Sequence, residues 1–291
     1  MTNTAIRPES GYAPRRAAAP SVAMPGLVAT DLDGTVVRSD DTVSGRTFAA
    51  FARMKSAGVP IVGITGRGPR LLELSRRDLP VADYLVLAQG AHVVDLTTGP
   101  HPVTMFSDSL PCAIVAEVIA AIEEHAGPLS VLVEPVNAPD AYLLGERHPA
   151  WRFAELVHPC TRAEALSAPA VKAFAHSDTY QPDDLLALAR TVIGPGTVEM
   201  TQAGLGYIEI CPPGVTKGTG LALVATELGV DPAEALVFGD MPNDLPAFAW
   251  AGRRVAVANA HPDVLAAADE VTLANDEDGV AVYLEQILLQ A

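Results

Sequence analysis

Leu27-Val28-Ala29-Thr30-Asp31-Leu32-Asp33-Gly34-Thr35 decides the reading of this chain, because an apolar run ends abruptly in two carboxylates one residue apart. The run reads as a strand, and alternate side chains of a strand point the same way. Asp31 and Asp33 can therefore face one crevice, one as a nucleophile and the other as a proton donor. Gly34 permits a tight turn with the backbone close to a ligand, and Thr35 offers a hydroxyl and an N–H to an anion. An acidic surface turn would use the same residue types, so the stretch takes its meaning from what surrounds it.

Outward from it, short apolar strands alternate with helices, the pattern of a parallel α/β sheet. Ser44 is a suitable N-cap for a helix that ends before Gly58; the strand Val59 to Ile64 leads into Thr65-Gly66-Arg67; a helix begins near Pro69, and Tyr84 to Leu87 is the next strand. From about Ala91 to Cys211 the texture changes. Strands are predicted at His92 to Leu96, Ser130 to Glu134, Ala141 to Leu144, Val171 to Ala175, Thr197 to Thr201 and Tyr207 to Ile210, with helices near Pro111 to His125 and Pro182 to Val192. Several of these strands follow one another without a helix, which predicts antiparallel pairing. Alternation then resumes with a helix from Thr216 to Leu228, the strand Ala235 to Phe238, a helix around Asn243 to Ala251, the strand Arg254 to Val257 and a last helix from about Gly279 to Leu289. The predicted organisation is a disordered tail over 1–25, a doubly wound, Rossmann-like parallel core over 26–90 and 212–291, and an α+β domain inserted over 91–211.

Composition narrows the partners. With 35 acidic and 19 basic residues the net charge is −16, which argues against nucleic acid or an anionic membrane surface. An anionic substrate stays possible where a divalent cation dominates the local field. Cys112, Cys160 and Cys211 are odd in number and widely spaced, so they imply neither a disulfide framework nor a zinc site, and a reducing cytoplasm fits. No apolar run approaches membrane-spanning length. Arg15-Arg16 leads into no sustained apolar segment and reads as part of a tail rather than an export signal. Oligomeric state, monomer or dimer, is left open.

In open parallel sheets the functional crevice lies beyond the carboxyl ends of the strands. Four polar clusters fall there or beside helix starts: Asp31 to Thr35; Thr65-Gly66-Arg67, whose hydroxyl and N–H groups suit phosphate oxygens; Lys217, just after Thr216 at a helix N-terminus; and Gly239-Asp240-Met241-Pro242-Asn243-Asp244. Each has a plainer reading as a cap, a turn or an exposed side chain. Lys217 is the least comfortable of them, since a cation at a helix N-terminus opposes the macrodipole. Hard carboxylate oxygens such as those of Asp240 and Asp244 suit Mg²⁺.

Together the four clusters, in this order and spacing, resemble the motifs of the haloacid dehalogenase superfamily. Val255-Ala256-Val257-Ala258-Asn259-Ala260 and the Asn275-Asp276-Glu277-Asp278-Gly279-Val280 stretch further resemble its Cof-type branch, subclass IIB, which inserts an α/β cap between the second and third motifs. The resemblance implies an Mg²⁺-dependent phosphatase of small phosphomonoesters, with sugar phosphates as the expected class. Asp31 would attack phosphorus to give an aspartyl phosphate, and Asp33 would protonate the leaving group and then activate water. Asp31, the Asp33 backbone carbonyl and Asp240, with Asp244 direct or through water, would hold the metal. Thr65, Gly66, Lys217 and Asn243 would hold the phosphoryl oxygens; Arg67 follows the pattern and is grouped with the substrate-binding residues, its part in binding left open. Gln89-Gly90-Ala91 departs from the family's common Asn-Gly-Ala at the entry to the cap, and hinges are expected there and at Pro212 to Gly214. His148, Trp151, Arg152 and His176 are conceivable cap contacts to substrate. A phosphomutase or phosphotransferase, or a non-catalytic phosphate-binding protein, are the alternatives.

Overall fold

The computed structural model describes residues 24–136, 142–149, 151 and 154–290. The expected tail lies outside the described residues up to position 23; Met24, at its end, packs against the core. Ala141, the start of one expected strand, and Arg152 also lie outside them.

The first sheet has eight strands in the order Glu270–Val271, Arg253–Ala256, Ala235–Gly239, Leu27–Thr30, Ile61–Ile64, Tyr84–Leu87, His92–Asp95, Val103–Ser107. The first six run parallel; His92–Asp95 pairs antiparallel with the sixth, and Val103–Ser107 antiparallel with His92–Asp95. Leu27–Thr30, Ile61–Ile64 and Tyr84–Leu87 are buried at every residue, as near-continuous apolar runs in a parallel sheet must be. From Leu27–Thr30 the chain winds outward to Ile61–Ile64 on one side and later returns to Ala235–Gly239 on the other. That reversal opens a crevice beyond the carboxyl ends of the two central strands. Their register pairs Leu27 with Ala235 and Thr30 with Phe238, so the residues that follow each strand emerge side by side.

Capping fixes the helices that flank this crevice. The Ser44 hydroxyl accepts from the Thr47 N–H at the start of Gly45–Ser56, whose Phe51 and Met54 are buried. Thr216 caps Lys217–Leu228 by accepting from the Thr219 N–H, and Gly229 closes it in the left-handed conformation, where glycine carries no Cβ penalty. Lys217 thus becomes the first residue of the helix, with its side chain buried.

The strand His92–Asp95 corrects the expected boundary at Ala91: with Val103–Ser107, it extends the first sheet, and the inserted body begins beyond Ser107. The cause is local. Ala88, Gln89 and Gly90 all have positive φ, which turns the chain back so tightly that Leu87 pairs with His92 in an antiparallel ladder. Val103–Ser107 is an edge strand, mostly exposed, and carries too little apolar pattern to be read from sequence.

The second sheet runs Glu199–Gln202, Ile208–Cys211, Ala170–His176, Ser130–Pro135, Leu143–Gly145, Val157–Pro159. All its pairings are antiparallel except the last. One face carries Val131, Val133, Ala173, Ala175, Ile208 and Ile210 into a core with the helices Cys112–Ala126 and Pro182–Val192. The intervening residues Leu132, Lys172, Phe174, Tyr207 and Glu209 take the opposite face and line a cavity above the first sheet. Strand periodicity alone divides the two sets.

Candidate active site

The crevice and the inner face of the second sheet enclose a cavity of about 710 Å³, lined among others by Asp31, Asp33, Arg67, Asp240 and Asn243. Asp31 follows the strand Leu27–Thr30, its N–H donating to the Phe238 carbonyl at 3.0 Å. Lys217 Nζ reaches from its helix N-terminus to Asp31 Oδ1 at 2.6 Å and Asp244 Oδ1 at 2.7 Å. Asp244 is fully engaged: its Oδ2 accepts from the N–H groups of Asp240 and Met241 at 2.9 and 3.0 Å. Thr35, expected to offer its hydroxyl to an anion, is buried and donates instead to Asp240 Oδ1 at 3.0 Å. Gly34 makes this approach possible, because its φ is +84° and a Cβ there would run into Asp240 Oδ2.

Asp31, Asp240 and Asp244 each bring a carboxylate oxygen within 4.8 Å of the others. Three buried carboxylates share one ammonium. Burial is the main cause that pushes Asp31 up to about 7; Lys217 opposes it, and Asp244 and Asp33 add to it. Asp240 is raised well above the ordinary carboxylate range, first by burial and then by Asp31 and Asp244. For Lys217, burial works against the charge, yet Asp244 and Asp31 overcome it and hold the ammonium above its ordinary value. A further cation among acids so crowded would favour their ionised forms, and an all-oxygen donor set fits Mg²⁺.

The carboxylate of Asp33 stands apart from this cluster. Arg67 holds it with a two-pronged pair, Nε to Oδ2 at 2.8 Å and Nη2 to Oδ1 at 2.6 Å, while Arg67 Nη1 reaches Asp78 at 2.7 Å. Such fork-to-fork pairing fixes orientation as well as distance, so Arg67 acquires the definite place that its sequence position lacked. Thr65 is buried, with its hydroxyl accepting from the Arg67 N–H at 3.1 Å; Gly66 lines the cavity. Asn243 Nδ2 donates to Gln89 Oε1 at 3.3 Å.

A second buried network was not anticipated. Lys172 Nζ pairs with Glu209 at 2.8 Å and donates to the Gly66 carbonyl, while Gln89 Nε2 donates to the same Glu209 oxygen at 3.0 Å. These bonds join the inserted sheet to the Thr65-Gly66-Arg67 loop. Their signal was present in the sequence, where Lys172 and Glu209 interrupt strands at inward positions alternating with apolar ones. Asn259 and Asn275 were also missed as individual residues. They donate to the carbonyls of Gly34 and Val37 at 2.8 and 3.0 Å and fasten the segment that follows Asp33. Of the conceivable cap contacts, Trp151 lines the cavity, with the His148 and His176 rings 6.2 and 6.0 Å from its own.

Acids and a lysine gathered at the carboxyl edge of a mixed, mostly parallel sheet, under an inserted second sheet, define a class of α/β hydrolases that act on phosphate esters. The family model of the haloacid dehalogenase-like hydrolases matches residues 28–284, and the chain belongs to that family. It is 27% identical over 275 residues to the stress response protein YhaX of Bacillus subtilis, covering 89% of this chain and 92% of that one. To YitU of the same organism, a 5-amino-6-(5-phospho-D-ribitylamino)uracil phosphatase, it is 28% identical over 274 residues, covering 90% and 97%. Among solved structures, BT1666 from Bacteroides thetaiotaomicron superposes with a TM-score of 0.75 at 22% identity, covering 96% of this chain and 99% of that one. The subclass IIB sugar phosphatase BT4131 does so with a TM-score of 0.73 at 20% identity, covering 90% and 99%. These likenesses place the fold among subclass IIB structures, and the chain is an enzyme of phosphatase type. Among the described residues, no helix is long and apolar enough to cross a membrane.

Proposed function

We propose that the protein is an Mg²⁺-dependent phosphatase of small phosphomonoesters, working through an aspartyl phosphate on Asp31. The observation that carries this reading is Lys217 held between Asp31 and Asp244, which leaves Asp31 Oδ2 without a hydrogen bond from the described residues, beside the cavity. Asp31 and Asp240, with the Asp33 carbonyl, would hold the cation. Asp244, its oxygens already taken, would act through water or by positioning Lys217. When bound, Mg²⁺ would supply positive charge that offsets repulsion between Asp31 and the phosphate.

Asp31 Oδ attacks phosphorus and forms a P–O bond as the bond to the leaving oxygen breaks; the electron pair goes to that oxygen and Asp33 gives it a proton. Asp33 then takes a proton from water, whose oxygen attacks phosphorus and releases Asp31 with its original carboxylate. Reaching the leaving oxygen requires the Asp33 carboxyl to turn away from Arg67. The Lys217 ammonium keeps Asp31 oriented, and the Gly66 N–H with Asn243 binds the phosphoryl oxygens as charge shifts.

Leu132, Leu143, Trp151, Phe174 and Tyr207 make the cavity's far wall apolar and aromatic. This favours a leaving group that joins a phosphorylated sugar-like arm to a flat ring, the type of molecule in the name of YitU, over a bare sugar. A panel of sugar phosphates and ring-bearing sugar phosphates, assayed for phosphate release with Mg²⁺, tests both levels. Release from none of them by a folded protein would sink the phosphatase reading; preference for bare sugars would sink the ring.

A further inference from the structure

A second cluster of ligating side chains lies on the inserted sheet, away from Asp31. His148 Nε2 and His176 Nε2 stand 3.3 and 3.5 Å from the same Asp178 oxygen, and the three ligand atoms lie within 4.8 Å of one another. His176 Nδ1 is 2.6 Å from the Gly206 carbonyl, so that nitrogen carries the hydrogen and Nε2 of a neutral ring presents a lone pair to the carboxylate. Two acceptors facing each other at this distance require a proton or a cation between them. A carbonyl that fixes the tautomer of an imidazole is the usual support behind a metal-binding histidine. The two His–Asp distances also match a metal: bonds of about 2.0–2.1 Å in a tetrahedron place neighbouring ligands roughly 3.3–3.4 Å apart.

We propose that His148, His176 and Asp178 form a site for a transition-metal ion of the Zn²⁺ class, separate from the acidic cluster. Two imidazoles and one carboxylate suit zinc or cobalt, whereas Mg²⁺ prefers oxygen alone. Asp178 is 81% exposed, which leaves the fourth position to water. The ion ties the segment carrying His148 to the end of the strand Ala170–His176. Trp151 stands with its ring 6.2 Å from His148 and 6.0 Å from His176 and lines the catalytic cavity, so occupancy is transmitted to the cavity wall.

The test titrates Co²⁺ into the full-length protein saturated with Mg²⁺, following visible d–d absorption and tryptophan emission; Trp151 and Trp250 are the only tryptophans. One saturable equivalent with strong tetrahedral absorption, displaced by Zn²⁺ and quenching Trp151, is expected. Asp178→Asn, at an exposed position, should lose that equivalent while keeping the melting temperature and Mg²⁺-supported phosphate release, and His176→Ala should lose it too. Trp151→Phe should keep the absorption and lose most of the quenching. Absence of a saturable equivalent in the wild type, or its survival in folded Asp178→Asn and His176→Ala, would overturn the site and leave an ordinary His–Asp ion pair. Co²⁺ bound only at the acidic cluster would give weak six-coordinate absorption, insensitive to these substitutions, and would overturn it equally.

Discussion

Lys217 and Lys172 are both buried and both paired with acids, yet their surroundings differ in a way that separates chemistry from architecture. Around Lys217 stand Asp31, Asp240 and Asp244, more negative charge than one ammonium can balance; burial raises Asp31 and Asp240 above their ordinary range, and the neighbouring acids raise them further. Lys172 meets Glu209, the Gly66 carbonyl and the face of Phe174 at 4.6 Å. Glu134, raised chiefly by burial, has Lys172 and Arg70 lowering it. There positive and negative groups alternate. On the proposed function, the imbalance is what a cation and a phosphate would offset, whereas the balance joins two sheets.

The contrast can be broken most directly at Asp31. Asp31→Asn should lower phosphate release by roughly 10⁴-fold or more, as removal of a nucleophile does, while raising the melting temperature of the metal-free protein, because one crowded acid is gone. Loss of activity together with lower stability would place Asp31 in architecture instead.

Next is the pH dependence of the metal-free protein. Asp31 keeps its proton up to about 7 when folded, against an ordinary value of 3.8, so between those values the folded state binds more protons than the unfolded one. Stability therefore falls as pH rises through that window, and Asp240 acts in the same direction. Thermal melts in chelator at pH 5 and pH 8 should show the lower midpoint at pH 8, with Mg²⁺ recovering most of the difference. A midpoint unaffected by both would mean that the acids are not frustrated.

At the second lysine the expectation reverses. Lys172→Met leaves Glu209 buried without its cation and should cost about 3 kcal/mol in denaturant unfolding, whereas Lys172→Met with Glu209→Met should recover much of the loss. Equal costs for single and double variants would deny the pair its balance. The smallest effect is expected at Gln89, a left-handed residue whose amide spans Asn243 and Glu209. Gln89→Asn suits that backbone better but is one methylene too short for both partners; it should change stability little and raise KM a few-fold in steady-state assays.

The stretch from Leu27 to Thr35 revealed the core because parallel strands buried on both faces spell long apolar runs, and strand ends spell their acids. Helix bounds at Ser44, Thr216 and Leu228 were equally legible, since caps are local. The turn at Ala88 to Gly90 was not, because two non-glycine residues adopt positive φ there, and the strand it adds to the core was assigned to the insertion. The crossing bonds were hidden for a different reason: the Arg67 pair with Asp33, the Asn259 and Asn275 anchors and the Lys172 bridge join residues far apart in sequence, and residue type alone does not say which distant group each will meet.

The alternation of the second sheet has an evolutionary consequence. Val131, Ala173 and Ile208 hold it to its helices, while their immediate neighbours Leu132, Phe174 and Tyr207 face the cavity. Drift at the second set can change which molecules the cavity admits while the first set keeps the sheet folded, so a lineage carrying this arrangement can acquire new substrates one neighbouring position at a time.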